Sequence, residues 1–237
     1  MKAVSNQTTR QGVYYALSAY LFWGLVPIYF KLIDHISPWE ILAQRVIWAL
    51  ILLIGILAYT GELNALKVSR RQLPTLVLTS GLLSINWLVF IYAIVNHNIV
   101  ETSLGYFINP LVSVFLAVVF LRENLRPIQW VAIAIAGTGI LVQLIFYGSI
   151  PWLALILAFS FGFYGLFRKN LGMHPIAGLA IETIIIAPFG IAYLIWALMN
   201  QHLEFGQDTS TDLLLILSGF VTSFPLLCFA AAVTRLS

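Results

Sequence analysis

Charge is what this chain has least of. Only 9% of its 237 residues are Asp, Glu, Lys or Arg, against roughly 25% in a soluble domain. So little charge cannot solvate the surface of a water-soluble globule, and the net charge of +3 is no argument for a nucleic-acid partner. Cysteine is nearly absent as well. The single Cys228 excludes an internal disulfide and a thiolate metal cluster, and it reads as a small packing residue. The four histidines, His35, His97, His174 and His202, all fall between apolar runs, so neither a metal site nor a catalytic triad is visible. No glycine loop of the phosphate-binding type is present either, so ATP hydrolysis by this chain is not expected.

What the chain does have is apolar length. Hydrophobic residues make up 61% of it, and its mean hydropathy is +0.96. Eight segments, near 12–33, 38–60, 74–95, 99–121, 128–146, 150–167, 176–198 and 211–233, are each about long enough to cross a bilayer. The fold expected is an all-α polytopic membrane protein. The segment at 150–167 is the short one. The first run is long and lacks a small-residue cleavage signal, so it reads as an uncleaved inserting helix after a flexible-looking tail. Connections are brief. Trp39 and Trp152 sit at span ends, as interface anchors do.

Orientation follows from the basic residues. With the N-terminus cytoplasmic, the inner side receives Lys2, Arg10, Lys67, Arg70, Arg71, Arg122, Arg126, Arg168, Lys169 and Arg235. The outer side receives only Lys31, and Arg45 lies within a span. That asymmetry satisfies the positive-inside rule. Glu123, with Arg122 and Arg126 nearby, reads as a loop ion pair at the cytoplasmic edge.

The chain also repeats itself. Gly24 and Lys31 recur as Gly162 and Lys169, Pro38 and Leu42 as Pro175 and Leu179, and Ser80 and Gly81 as Ser218 and Gly219, at offsets of 137 to 138. The unit is five helices. Because five is odd, the second copy enters the membrane from the opposite side, which is an inverted repeat of the transporter kind. The expected organisation is a cytoplasmic tail at 1–11, a first five-helix repeat at 12–148 and a second at 149–237. The second copy is incomplete: eight helices are present of an expected ten, and the pattern calls for about 50 further residues.

These residues also resemble a known family. The run ETSLGYFINPLVSVFLAVVFLRENLRPIQWVAIAIAGTGI at 101–140 is similar to the RarD-type branch of the EamA drug/metabolite transporter (DMT) superfamily, as are FWGLVPIYFK at 22–31, the Arg45–Trp48 region and Asn86–Trp87. The resemblance covers residues 12 to 237. It implies ten helices in two inverted halves, a bacterial inner membrane, and export of metabolites or drugs, with a link by name to chloramphenicol sensitivity. The chain departs from the family in lacking the last two helices.

A solute site in such carriers lies near the midplane on broken helices. Proline marks the breaks, since it leaves the carbonyl four residues back unbonded. Pro27, Pro110, Pro188 and Pro225 all fall inside spans, and Pro110, beside Asn109 and Gly105, is the strongest hinge candidate. Polar and aromatic residues near the breaks are the candidate lining: Trp23, Asn86, Trp87, Tyr106, Asn109 and Tyr164. Flat aromatic faces suit apolar or aromatic solutes, and Asn can orient them. Gly137 and Gly139 are expected to let the fifth helix pack closely.

Arg45 joins the candidate lining. It sits roughly 10 Å from the outer end of its helix at 1.5 Å per residue, with no acid three or four positions away. Glu40, five away, points elsewhere. The expected partner is Glu101, which would make the pair an outward gate. The repeat maps Arg45 onto Glu182, near the opposite face, so direct pairing of those two is not expected. Glu182 is instead a candidate for carrying a coupling proton.

Three function classes remain. The first is an inner-membrane secondary transporter of small metabolites or drug-like solutes, working by alternating access. The second is an inactive truncated fragment. The third, an intramembrane enzyme, lacks clustered catalytic groups. The expected partners are the lipid bilayer, a small-molecule solute and a coupling proton. No cofactor and no nucleic acid are expected, and the oligomeric state is open.

Overall fold

The computed structural model describes residues 6–122 and 124–236. Among these, eight α-helices follow one another: α1 Asn6–Lys31, α2 Pro38–Tyr59, α3 Leu73–Val95, α4 Ile99–Leu121, α5 Pro127–Tyr147, α6 Trp152–Leu171, α7 Pro175–Met199 and α8 Thr209–Leu236. All eight contain a stretch apolar and long enough to cross a membrane. The eight expected spans therefore fold as eight helices, and α2, α3, α4, α5 and α7 match to within one residue at each end. At 20 residues α6 is the shortest of these helices, as expected, although it runs on through Arg168 and Lys169 to Leu171. Helix α1 starts at Asn6, inside the segment read as a tail. A 3-10 turn at Leu63–Leu66 lies in a loop the apolar pattern leaves blank. Glu123 lies outside the described residues, and the loop ion pair read for it lies there too.

Proline sets several helix starts. Pro38, Pro127 and Pro175 each open a helix at its first position, where the missing N–H is no loss and φ is already helical. Pro27, Pro110, Pro188 and Pro225 lie inside α1, α4, α7 and α8, as expected. At the start of α8, Asp208 accepts hydrogen bonds from the Thr211 N–H at 2.9 Å and the Thr211 hydroxyl at 3.0 Å. Those bonds, the Thr211 backbone N–H first, hold its carboxyl below the usual value of 3.8. A depressed folded-state value contributes stability above the unfolded value, and that stability is lost as pH falls through the folded one. Protection of the Thr211 amide against hydrogen exchange should therefore weaken as pH drops below 3.8, and Asp208→Ala should show the weakened state already at neutral pH.

The helices form two compact units. The first holds residues 1–68 and 173–237, the second 69–172. In the first, α1 lies along α8, and α2 lies along both α7 and α8. Gly190 lets α7 settle against Ala43, where an added Cβ would meet the Ala43 Cα at 3.4 Å. Gly219 brings α8 closer still to α2, since a Cβ there would stand 2.4 Å from the Trp48 carbonyl carbon.

In the second unit α6 packs on both α3 and α4. Leu104, Ile108, Val112 and Leu116 recur every four residues along α4 and meet Ala154 and Ala158 of α6 in one buried cluster. Small residues spaced by four cut a groove that admits such a ridge. Gly162 continues the groove, and a Cβ there would press Val112 Cγ1 at 2.8 Å. The expectation for α5 fails. Gly139 faces open space, and an added Cβ at Gly137 would come no nearer than 3.9 Å to Leu111 Cδ1. None of the residues of α5 is buried, so its small residues draw nothing in. The close approaches run through Gly105, Gly162, Gly190 and Gly219 instead, where a neighbouring helix lies within 3.4 Å of an added Cβ.

Candidate functional site

The second unit holds seven of the expected residues. Asn86, on α3, is buried. Its amide donates to the Leu157 carbonyl and to the Ser160 hydroxyl, both at 3.0 Å. These bonds fasten α3 to α6, the way polar side chains join membrane helices. Asn86→Leu should remove them at near-constant volume and destabilise the unit by about 1 kcal/mol, read as a lower thermal midpoint in detergent. Trp87 is also buried. Tyr106, on α4, is 55% exposed and meets Phe90 edge-on at 6.0 Å. Asn109 accepts a hydrogen bond from Ser113 at 3.3 Å, one turn on and just past Pro110. Tyr164, on α6, lies 5.8 Å from Phe161 between ring centres.

Glu101 is tied down within this unit. Its Oε1 accepts from the Tyr147 hydroxyl at 2.5 Å, and its Oε2 accepts from the Leu153 N–H at 3.1 Å. The second bond satisfies an N–H in the first turn of α6, which has no acceptor within its own helix. One carboxylate thus joins the start of α4 to the end of α5 and the start of α6.

The first unit holds Trp23, Arg45 and Glu182. Trp23 packs at 5.7 Å from both Tyr20 and Phe229, which links α1 to α8. Arg45 is buried, with its guanidinium 5.4 Å from the centre of the Phe30 ring, a desolvated cation–π geometry. Next to Phe30, the Tyr29 hydroxyl donates to the Leu214 carbonyl of α8. The side chain expected to need compensation is thus found against an aromatic face of α1. Glu182 is fully buried on α7, the helix that packs on Arg45's own α2.

Glu40 is the residue the sequence reading passed over. It does point away from Arg45's neighbours, but its destination matters. It is fully buried and reaches the α7–α8 loop. There Glu40 Oε1 accepts the Glu204 N–H at 3.1 Å and the Phe205 N–H at 2.9 Å, and Oε2 also lies 3.1 Å from the Glu204 nitrogen. The sequence held no clear signal for this, since an acid in the first turn of a helix is already favoured by that helix's own N-terminus.

The profile of the EamA-like transporter family matches residues 10–145, more than half of the chain. The chain belongs to the EamA-like transporter family. Protein RarD of Escherichia coli is 45% identical over 232 residues, covering 96% of this chain and 78% of that protein. An uncharacterized transporter of Vibrio cholerae is 41% identical over 236 residues, 98% of this chain and 78% of its own. A more distant relative, the chloramphenicol-sensitive protein RarD of Pseudomonas aeruginosa, is 28% identical over 220 residues, 90% of this chain and 73% of its own. The EamA chain described here thus stands in the RarD-type branch, as a multi-pass bacterial inner-membrane protein of a transporter family.

Proposed function

We propose that this EamA-family chain is a secondary transporter of small, largely apolar metabolites or drug-like solutes, built on inverted repeats at 12–148 and 149–237. One observation carries the reading. Under the repeat offset, α1 corresponds to α6 and α3 to α8. The structure packs α6 on α3 and α1 on α8, so each contact is the image of the other. Chance similarity between greasy helices gives no reason for the contacts to exchange in this way. The N-terminus is cytoplasmic in this reading, from the placement of the basic residues.

Trp23, Arg45, Trp87, Tyr106, Asn109 and Tyr164 are the proposed lining, Pro110 the hinge and Glu182 the proton carrier. Asn86 and Glu101 have a positioning role, given the bonds they make. Chloramphenicol is a reasonable first solute, because a relative bears its name. The test is flux in proteoliposomes across a solute panel with an imposed pH gradient. Gradient-driven flux of an aromatic solute is expected, and Glu182→Gln should abolish its dependence on pH. Flux no faster than in protein-free vesicles would overturn the proposal.

A second reading, a carrier fold lacking two closing helices, has its own observation. In the second unit Gly162 receives α4. Its counterpart Gly24 has nothing within 4 Å of a built Cβ. Leu21, Leu25 and Ile28 stand 61–70% exposed along the same helix. The face of α1 equivalent to the α4 seat is open, and a ninth helix is its proposed occupant. Flux by a ten-helix version alone would favour this reading.

A further inference from the structure

A cavity of about 650 Å³ opens at one end of the first unit, lined by Ser37, Trp39, Tyr193, Trp196, His202 and Glu204. We infer that it is a binding site for an organic ammonium group, the cation held against the aromatic faces and opposite the Glu204 carboxylate. The inference concerns binding alone and stands apart from the transport reading.

Five observations carry it. The volume suits a small ligand. The rings converge on one another: Tyr193 lies 5.7 Å from Trp196, and Trp196 lies 5.9 Å from His202. The Tyr193 hydroxyl donates to Ser37 at 3.3 Å, which fixes the phenol from α7 against the start of α2. The backbone that carries Glu204 is also held in place. Glu204 and Phe205 give their backbone N–H groups to the buried Glu40, so the loop bearing Glu204 is anchored from beneath. The local charge is mostly negative: residues 32–40 and 199–212 hold five carboxylates, with Lys31, His35 and His202 in or beside those stretches.

Aromatic faces attract a cation electrostatically, most strongly where water is displaced, and a carboxylate on an anchored loop adds charge complementarity. Trp39 and Trp196, 57% and 52% exposed, would gain the most from being covered. Aromatic residues at a membrane interface usually serve as separate anchors. Here four rings from two helices and a loop surround one space with an acid at its rim.

The test uses the full chain in dodecyl maltoside, whose headgroup carries no charge, with benzyltrimethylammonium as the probe. Titration should quench Trp fluorescence saturably, and neopentylbenzene, the neutral isostere, should not. Glu204→Gln leaves the backbone bonds to Glu40 in place and should weaken binding about tenfold. Trp196→Ala should do the same, whereas Trp196→Phe, which keeps a ring, should retain most of the affinity. Equal binding of the isostere, or unchanged affinity in both Glu204→Gln and Trp196→Ala, overturns the inference. Adding phosphatidylethanolamine or phosphatidylglycerol to the micelles separates the sources. Competition by the first lipid alone identifies a lipid headgroup as the occupant, and competition by neither identifies a free amine; either result supports an ammonium site.

Discussion

Gly219→Val is expected to disrupt the first unit. An added Cβ would stand 2.4 Å from the carbonyl carbon of Trp48, 2.6 Å from the nitrogen of Ala49 and 2.7 Å from the Trp48 Cβ. Two of these atoms are α2 backbone, which cannot rotate aside as a side chain end can. Overpacking a core commonly costs 1–3 kcal/mol. Here the cost should lie at or above about 3 kcal/mol, because α8 must move off α2 as a body. Against a typical stability of about 5–15 kcal/mol, that should lower the thermal midpoint sharply and reduce the recovered monodisperse protein. Gly81, the repeat counterpart of Gly219, has nothing within 4 Å, and neither does Gly139. Gly81→Val and Gly139→Ala should leave the midpoint near that of the parent. A Gly219→Val protein melting with the parent would show that α2 and α8 do not approach as described.

Glu40→Ala should come second in severity. It removes the acceptor for two backbone N–H groups at a fully buried carboxylate. Each buried group left unsatisfied costs about 1–3 kcal/mol, so a loss of about 2–5 kcal/mol is expected, less whatever water recovers. Glu40→Gln offers a sharper comparison. Oε1 alone accepts from both Glu204 and Phe205, and glutamine retains one carbonyl oxygen that can take that position. Its cost should be well under half that of the alanine variant. Hydrogen exchange at residues 203–206 reads the difference directly, with fast exchange in Glu40→Ala and near-parental protection in Glu40→Gln. Parental protection in both variants would mean that the loop is held by something other than Glu40.

These two residues mark what can be read from a chain of this kind. In a bilayer the backbone must satisfy its own hydrogen bonds, so a long apolar run is close to a statement of secondary structure. That is why the expected spans at 74–95 and 99–121 reappear almost unchanged as α3 and α4, and why proline marks the starts of α2, α5 and α7. Charge placement and the recurrence of Gly24, Pro38 and Gly81 one repeat later were legible for the same reason, as they depend on order along the chain. Contacts between helices are different. All these helices are apolar on most sides, so hydrophobic periodicity names no buried face. Gly137 and Gly139 looked like packing residues and meet nothing close, whereas Gly219 is pressed against a helix more than 150 positions away.

The candidate site divides along the same line. The sequence alone determined that this chain carries eight apolar runs, which fold as helices among the described residues, with a few ionisable groups inside. It could choose residue types for a solute site, such as Tyr106 and Asn109, because a polar or aromatic group beside a proline break is visible in one dimension. Only the tertiary structure decided what each group touches: Arg45 against Phe30, Glu101 on Tyr147 and Leu153, Asn86 on α6, and Glu40 under the loop that carries Glu204. The physical reason is that a charge in a low-dielectric interior takes whatever satisfies it within a few ångströms, whether a ring face, a hydroxyl or a backbone N–H. Distance in space, set by which helices pack, selects that neighbour, and spacing along the chain does not.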